Sequence, residues 1–291
     1  MSLIEKAAKR LEELRRAGVG TPGDSGENAG IPYPPEPAPA PKSASQSPTV
    51  NLELSELASS GFITPDAPRT QLAEEFRVLK RPLIANASAE RAVQIPNGNL
   101  IMVTSALPGE GKSFTAINLA MSIAMELDRT VLLVDADVAR PSLPRFLGLQ
   151  SNPGLLDVLQ DASLGLGDTI LRTNIDKLSV LTSGTPHARA TELLASAEMT
   201  KLLHEMGQRY SDRIIIFDSP PLLVTTEARA LATNMGQVVF VVRAQTTLQS
   251  DVMRALATID TCPVKLMVLN QARHSGAGSD YGYRYGYRYA P

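Results

Sequence analysis

One short glycine-rich loop constrains the fold of this chain more than any other part of its 291 residues. An apolar stretch, residues 100–105, runs directly into the sequence Ala106-Leu-Pro-Gly-Glu-Gly-Lys-Ser113. That sequence fits the phosphate-binding pattern G-x-x-x-x-G-K-[ST], except that alanine replaces the first glycine. Because this pattern links a buried strand to the first turn of a helix, the sequence predicts a strand–loop–helix unit that binds a nucleotide.

The residue types of this loop match the chemistry of a bound triphosphate. Glycines allow backbone N–H groups to curve around phosphate oxygens, and Lys112 can reach the β and γ phosphates. The hydroxyl of Ser113 is suited to Mg²⁺. We therefore expect ATP and Mg²⁺ at this loop. The predicted nucleotide contacts within it are Pro108, Gly109, Glu110, Gly111, Lys112, Ser113 and Phe114.

Acidic residues follow two other apolar segments, at the point where each predicted strand ends. Asp135 and Asp137 follow residues 131–134, and Asp218 follows residues 214–217. Parallel strands place their carboxyl ends at one edge of a sheet, so these carboxylates are expected beside the loop. An aspartate after a strand is often only a turn or capping residue. Three such elements in this order favour a nucleotide site instead.

Phosphoryl transfer needs positioned charges and a base that orients the acceptor more than it needs covalent chemistry. We predict that Asp135 is this base or a Mg²⁺ ligand, with Asp137 as the second candidate. Asp218 is predicted to hold Mg²⁺ directly or through a water. An alternative for Asp137 is a capping role before a helix near Leu143. The predicted catalytic residues are Lys112, Asp135, Asp137 and Asp218, and the predicted Mg²⁺ ligands are Ser113, Asp135 and Asp218.

Two residues at the ends of later strands are candidates for contact with the base of the nucleotide. Asn270 ends the last predicted strand, and its amide could pair with adenine, although a turn role is equally consistent with the sequence. Arg243 ends the neighbouring strand. Both are included among the predicted nucleotide-binding residues.

Strand-like and helix-like segments alternate from residue 100 to residue 270. Such alternation predicts an α/β fold with a mostly parallel, doubly wound sheet that helices cover on both faces. Predicted strands are residues 100–105, 130–135, 177–182, 213–218, 237–243 and 264–270. Predicted helices begin at residue 111 and near residue 143, and span residues 192–207, 226–234 and 248–259. A further helix over residues 68–89 precedes the first strand, and Pro82 is expected to bend or break it.

The two ends of the chain differ in composition from this α/β segment. Residues 1–17 have apolar positions at helical spacing and predict an amphipathic helix, which either packs on the folded domain or meets a partner or a membrane surface. Residues 18–50 are rich in proline and predict a disordered linker. We therefore expect a folded domain over residues 51–271 and a disordered tail over residues 272–291.

Composition argues against several function classes. The 28 Lys and Arg residues nearly balance the 30 Asp and Glu residues, and a net charge of −2 argues against a nucleic-acid partner bound through charge. The apolar stretches fall far short of the roughly 20 residues that span a bilayer, and the N-terminus lacks the apolar core of a signal peptide. The single Cys262 cannot form an internal disulfide, which fits a reducing cytoplasm.

The C-terminal segment holds an unusual cluster of tyrosines. Five of the seven tyrosines of the chain lie close together, at Tyr281, Tyr283, Tyr285, Tyr287 and Tyr289. Next to a phosphoryl-transfer site, such a cluster is better explained as a set of phosphate acceptors than as a base-stacking surface. The roughly 20 residues after Asn270 extend to about 65 Å at most, which is enough to reach a neighbouring subunit's site.

Together these features resemble the bacterial tyrosine kinases (BY-kinases), which are similar in fold to the MinD and ParA class of P-loop ATPases. In that family the loop reads P-G-E-G-K-S, as residues 108–113 do here. The early signature lysine of MinD-like proteins is absent from it, and Leu107 occupies that position here. The resemblance covers about residue 52 to the C-terminus. It implies a protein-tyrosine autokinase that phosphorylates the tail in trans and serves exopolysaccharide or capsule synthesis.

The resemblance also implies an interface and a departure from the family pattern. The family carries E-x-x-R-x-x-R at the interface of ring-shaped oligomers, and Glu74-x-x-Arg77-x-x-Lys80 is similar to it. Its D-x-D-x-R motif is matched only in part, because Ala139 replaces the arginine and Arg140 follows one place later. The resemblance therefore implies a homo-oligomer. It implies no role for Ala139, which stands where the family motif has arginine.

The proline-rich leader and the tail look most like the stand-alone kinases found beside exosortase-linked exopolysaccharide genes. Such kinases depend on a separate membrane protein of the chain-length-determinant type. The resemblance thus implies a cytoplasmic protein that this activator recruits to the inner face of the membrane, with a cognate tyrosine phosphatase as a further partner.

Two other functions remain open on sequence alone. A positioning ATPase of the MinD or ParA type would share the loop and the sheet, and Leu107 in place of the signature lysine argues against it. A non-enzymatic adaptor would bind ATP to hold one conformation and use the tail as a docking peptide.

Overall fold

The structure, a computed structural model, describes residues 47–66, 70–88, 94–209 and 213–272. The predictions for residues 1–46 and for the tyrosine cluster lie outside the described residues. The described residues form one sheet with helices packed on both of its faces.

An eight-stranded sheet forms the centre of the protein. Its strands are β1 Thr49–Val50, β2 Leu100–Ser105, β3 Thr130–Asp135, β4 Leu171–Thr173, β5 Leu178–Leu181, β6 Arg213–Asp218, β7 Gln237–Arg243 and β8 Val264–Asn270. The strand order is β1-β4-β5-β3-β6-β2-β7-β8. Neighbouring strands run parallel except β4 and β5, which are antiparallel. The predicted mostly parallel sheet is confirmed.

Helices connect most of these strands. They are α1 Leu54–Ser59, α2 Gln71–Ala87, α3 Lys112–Ala124, α4 Leu143–Leu147, α5 Leu155–Gln160, α6 Leu166–Thr169, α7 Ala190–Leu194, α8 Ala197–Arg209, α9 Glu227–Ala232 and α10 Gln249–Ala257. The segment predicted as one helix over residues 192–207 forms two, α7 and α8. Among the described residues, no helix is both long and apolar enough to cross a bilayer.

Alternate residues of the central strands pack into two hydrophobic clusters, one on each face of the sheet. In β2, Leu100 and Met102 join one cluster, whereas Ile101 and Val103 join the other. All residues of β2 are buried, as expected for a parallel strand that is covered on both faces. Helix α3 packs on the second face, with residues 115–124 all buried. This packing holds the glycine-rich loop at the carboxyl end of β2.

Two short strands were not predicted from the sequence. β1 pairs with β4 through Thr49 and Val50, so the sheet begins before residue 51, the expected start of the folded domain. β4 in turn pairs with β5. Strands this short carry too few side chains to show an alternating pattern, which explains why sequence periodicity misses them.

Helix α2 continues through Pro82, so the expected break at that residue is not observed. Pro82 is exposed, and the carbonyl group four residues earlier belongs to Val78, a residue that is 70% exposed. Water can therefore donate a hydrogen bond to the Val78 carbonyl, which receives no N–H from Pro82. On the opposite side, Phe76 and Leu83 hold the helix against the core.

Candidate functional site

The glycine-rich loop connects β2 to α3 and contains two glycines in the left-handed region of the backbone. Gly109 has φ of 81° and Gly111 has φ of 95°, conformations that other residues rarely adopt. A Cβ atom at position 111 would also collide with the amide nitrogen of Asn270. The loop leads into the N-terminus of α3, whose first N–H groups have no helical partner and are suited to phosphate oxygens.

Lys112 forms an ion pair with Asp137, with its Nζ atom 2.6 Å from Asp137 Oδ2. The two side chains are only 13% and 6% exposed, so solvent screens the pair weakly. Asp137 lies in the loop after β3, and its other oxygen accepts the backbone N–H of Arg140 at 3.2 Å. The fold thus brings the predicted phosphate-binding lysine into contact with one of the predicted carboxylates.

Asp135 and Asp218 lie opposite each other on adjacent strands. They occupy matching positions of β3 and β6, and both are fully buried. Burial, and then the charge of Asp218, raises the pKa of Asp135 to about 8. Burial raises the pKa of Asp218 to about 6, an effect opposed by the charge of Lys112 and by the hydroxyls of Ser113 and Ser142. Two adjacent buried carboxyl groups of this kind favour a bound cation.

One oxygen of Asp135 caps helix α4. Asp135 Oδ2 accepts the backbone N–H of Ser142 at 3.1 Å and that of Leu143 at 3.0 Å. The capping contact that the sequence offered as an alternative for Asp137 is therefore made by Asp135 instead. Asp137 is left to pair with Lys112.

Ser142 joins this cluster, although sequence reasoning did not single it out. Its hydroxyl lies 2.8 Å from Ser113 Oγ and 3.1 Å from Asp218 Oδ2. Serine before a helix has an ordinary explanation as a capping residue, so its position alone gives no signal of a second role. Only the packing of α3, β6 and the loop after β3 brings these three side chains together.

Two carboxylate oxygens of the cluster fit a divalent cation. Asp135 Oδ1 and Asp218 Oδ1 are buried and have no hydrogen-bond partner among the described residues. A buried oxygen of this kind is costly unless a proton or a cation satisfies it. Because Mg²⁺ prefers oxygen ligands, these two atoms and the Ser113 hydroxyl form a suitable donor set.

Glu110 is a charged residue inside the loop and is only 3% exposed. Its carboxylate accepts the N–H of Leu107 at 2.6 Å and the hydroxyl of Thr247, which follows β7. Its backbone carbonyl accepts the Asn270 amide at 2.9 Å. The predicted nucleotide contact Glu110 therefore braces the loop against the ends of β7 and β8.

The two residues predicted to contact the adenine of the nucleotide lie side by side at the ends of β7 and β8. Arg243 pairs in register with Asn270, and its side chain is exposed. Both polar groups of the Asn270 amide are engaged, since Nδ2 donates to the Glu110 carbonyl and Oδ1 accepts the N–H of Gln271 at 2.9 Å. Asn270 thus supports the loop, and its contact with adenine stays a prediction.

A cavity of about 550 Å³ opens beside the loop. Lys112 and Asp137 belong to its polar wall, and Phe114 and Phe146 to its apolar wall. Both aromatic rings pack against Phe62, at centroid distances of 5.3 and 5.7 Å. The volume is typical of a small-molecule site, and the two walls suit a phosphate group and an aromatic ring.

The three residues that resemble an oligomer motif do not share one surface. Glu74 and Arg77 are partly exposed and form a salt bridge at 2.8 Å. Lys80 is only 4% exposed, and its ammonium group contacts the Ser122 carbonyl and Glu126 near the end of α3. The predicted interface role of Lys80 is therefore not supported. Its helical spacing places it on the buried face of α2.

A family model described as ParA, NUBPL iron-transfer P-loop NTPase, matches residues 97–271. The matched region begins just before β2 and extends one residue beyond β8. It therefore includes the glycine-rich loop and every aspartate of the cluster. The predicted MinD/ParA-like P-loop fold is confirmed.

Two named tyrosine kinases and a transport protein are each similar to more than half of this chain. Tyrosine-protein kinase YwqD of Bacillus subtilis is 34% identical over 217 residues, covering 74% of this chain and 87% of the relative. The kinase domain of the Escherichia coli tyrosine kinase ETK has a TM-score of 0.64 and 26% identity, covering 76% of this chain and 84% of that one. The succinoglycan biosynthesis transport protein ExoP of Rhizobium meliloti is 32% identical over 184 residues, which are 62% of this chain and only 22% of ExoP. The chain belongs to the bacterial protein-tyrosine kinases, which are built on the P-loop fold.

Proposed function

We propose that the protein is an ATP-dependent tyrosine autokinase that phosphorylates the tail of a neighbouring subunit. The observation that carries this proposal is the Lys112–Asp137 ion pair, which lies in the wall of the cavity beside the loop. A cation and a carboxylate at that position supply both groups that phosphoryl transfer to a hydroxyl requires. The proposed acceptors are Tyr281, Tyr283, Tyr285, Tyr287 and Tyr289.

The contacts support Asp137, rather than Asp135, as the base that orients the acceptor. Asp137 lines the cavity, whereas Asp135 is fully buried and uses one oxygen to cap α4. We therefore assign Mg²⁺ binding to Asp135, Asp218 and Ser113. When bound, Mg²⁺ would neutralise negative charge on the transferred phosphoryl group.

In the proposed transfer, the Lys112 ammonium group exchanges its contact with Asp137 for the γ phosphate of ATP. Asp137 then accepts the phenolic proton while the tyrosine oxygen forms a bond to the γ phosphorus. The bond from that phosphorus to the bridging oxygen breaks, and ADP leaves. Little movement is required because Lys112 and Asp137 already share one wall of the cavity.

The strand order supports one orientation of the nucleotide. β2 lies between β6 and β7, so the loop has the carboxylates of β3 and β6 on one side and the ends of β7 and β8 on the other. A phosphate chain at Lys112 that points its terminal group toward Asp137 directs the base toward Arg243 and Asn270. We propose that these two residues border the adenine.

We further propose that the kinase works in a ring-shaped homo-oligomer with a membrane partner. Glu74 and Arg77 are partly exposed on α2 and available for contact between subunits. A chain-length-determinant-type membrane protein would activate the kinase and recruit it from the cytoplasm to the membrane, and a cognate tyrosine phosphatase would remove the phosphates. The similarity to ExoP, a succinoglycan biosynthesis transport protein, supports a role in exopolysaccharide synthesis.

The test is intact and peptide mass spectrometry of the purified full-length chain after incubation with Mg-ATP, with and without a candidate membrane activator. Lys112→Met is the matched inactive variant. A second sample mixes Lys112→Met with a chain in which phenylalanine replaces the five tail tyrosines. Phosphate on Lys112→Met in that mixture can come only from another subunit.

Phosphate that is confined to residues 281–289 and absent from Lys112→Met alone is the expected result. Phosphate on Lys112→Met in the mixture is expected for transfer in trans. Absence of phosphotyrosine under every condition, with ATP still consumed, would contradict the proposal and favour a positioning ATPase.

A further inference from the structure

Ser142 contacts three groups of the proposed magnesium site. Its hydroxyl lies 2.8 Å from Ser113 Oγ and 3.1 Å from Asp218 Oδ2. Its backbone N–H donates to Asp135 Oδ2 at 3.1 Å. These groups belong to α3, β6 and β3, so one residue connects three separate segments of the fold at the point where the cation would bind.

Helix capping does not account for the contacts of the Ser142 hydroxyl. Ser142 precedes α4, but its side chain makes no capping hydrogen bond to that helix. The carboxylate of Asp135 accepts the backbone N–H groups of Ser142 and Leu143 instead. The Ser142 hydroxyl therefore does not cap α4, and it contacts Ser113 and Asp218 instead.

Hydrogen-bond chemistry sets the direction of this network. An ionised carboxylate can only accept, so the Ser142 hydroxyl donates its single proton to Asp218. The Ser113 hydroxyl also holds down the pKa of Asp218, so its single proton is directed at either Ser142 or Asp218. In both arrangements Ser113 Oγ accepts no proton from Ser142, because Ser142 donates to Asp218, and the lone pairs of Ser113 Oγ are left for a cation.

We propose that Ser142 is a positioning residue of the magnesium site. It orients the Ser113 hydroxyl and holds Asp218 through Oδ2. This leaves Asp218 Oδ1, an oxygen without a hydrogen-bond partner in the described part of the chain, for the cation. Contacts that orient metal ligands in this way typically change metal affinity by about 10- to 100-fold. The inference rests on the proposed function, because it concerns the same Mg²⁺.

The test measures ADP binding to the full-length chain by titration calorimetry, at several Mg²⁺ concentrations and in excess EDTA. The quantity compared is the factor by which Mg²⁺ strengthens ADP binding. We expect Ser142→Ala to lower this factor about tenfold, and Ser142→Thr, which keeps the hydroxyl, to restore most of it. Ser59→Ala, which removes an exposed hydroxyl on α1, is the control.

An unaltered factor in Ser142→Ala would overturn the inference. Equal losses of ADP affinity with Mg²⁺ and in EDTA would also overturn it, because that pattern indicates a general structural defect. If Ser142→Ala does not fold, Ser142→Cys takes its place, since a thiol is a weak hydrogen-bond donor and the same loss is expected. A wild-type chain whose ADP binding is independent of Mg²⁺ would instead contradict the proposed function.

Discussion

The ammonium group of Lys112 is already paired with Asp137, 2.6 Å away, before it can contact a phosphate. Asp137 therefore competes with the nucleotide for Lys112 while also serving as the proposed base. We expect Asp137→Asn to lower tail phosphorylation by about 10²- to 10⁴-fold, the usual contribution of a positioned base. ADP binding should persist or strengthen, because the competing charge is gone. Quantitative mass spectrometry and titration calorimetry measure the two effects.

Lys112→Met is the control that separates acceptor activation from nucleotide binding, since this variant should lower both phosphorylation and ADP binding. If Asp137→Asn lost ADP binding to the same extent as Lys112→Met, the assignment of Asp137 to the acceptor would be wrong.

Asp135 and Asp218 should make the stability of the metal-free protein depend on pH. Burial raises the pKa of Asp135 from 3.8 to about 8 and that of Asp218 from 3.8 to about 6. At pH values between 3.8 and these raised pKa values, the two carboxyl groups keep protons in the folded chain that they have released in the unfolded chain. The free energy of unfolding therefore falls as the pH rises from about 4 to about 8. We expect Asp135→Asn to remove most of this slope and to raise Tm at pH 8 by about 4 °C or more.

Differential scanning calorimetry in EDTA at pH 6 and pH 8 measures the change. Asparagine at position 135 can still accept the backbone N–H groups that cap α4, so loss of the cap is not expected. A change in Tm that is the same at both pH values would show that titration of Asp135 is not its cause.

Lys80 should contribute to the stability of the domain rather than to the interface between subunits. Its buried ammonium group contacts the Ser122 carbonyl and lies 2.7 Å from Glu126. We expect Lys80→Met to lower the free energy of unfolding by about 1.5–3 kcal/mol, the usual contribution of hydrogen bonds to charged groups. Arg77→Ala, on the exposed side of α2, should cost less than about 1 kcal/mol.

Urea unfolding and analytical ultracentrifugation separate the two roles. Arg77→Ala is expected to weaken assembly with little effect on stability, and Lys80→Met to do the reverse. Normal stability together with lost assembly in Lys80→Met would restore the interface role that the family motif implies.

The parts of the site that could be predicted depend on local sequence patterns. The loop at residues 106–113 and the aspartates that end apolar strands carry their chemistry within a few adjacent residues. Glu110 could not be understood in this way, because its partners Thr247 and Asn270 are 137 and 160 residues away. Such contacts exist only after β7 and β8 pair beside β2, and no local pattern encodes that proximity.

Lys80 illustrates a different limit of sequence reasoning. The family motif implies an interface role for Lys80. Lys80 nevertheless follows Phe76 by four residues and precedes Leu83 by three, and this helical spacing places it on the buried face of α2. A buried lysine is rare and costly unless it is paired, which on sequence alone favours an exposed position for Lys80. The carbonyl at the end of α3 and Glu126 supply the partners that make burial possible.

Asn270 offers a test of whether the site recognises adenine directly or through the loop. Its amide nitrogen donates to the Glu110 carbonyl, and its oxygen accepts the N–H of Gln271. We therefore expect Asn270→Ala to weaken ADP and GDP binding alike, by about 2- to 10-fold, as loss of a neutral hydrogen bond would. Titration calorimetry with both nucleotides measures the ratio.

Asn270→Asp sharpens this test because it changes only one of the two contacts. Aspartate can still accept the N–H of Gln271, but it cannot donate to the Glu110 carbonyl. If loop support is the function of Asn270, Asn270→Asp should weaken both nucleotides at least as much as Asn270→Ala does. A loss of ADP binding alone, with GDP binding unaltered, would instead mean that the amide reads adenine and that its contact with Glu110 is exchanged for the base when the nucleotide binds.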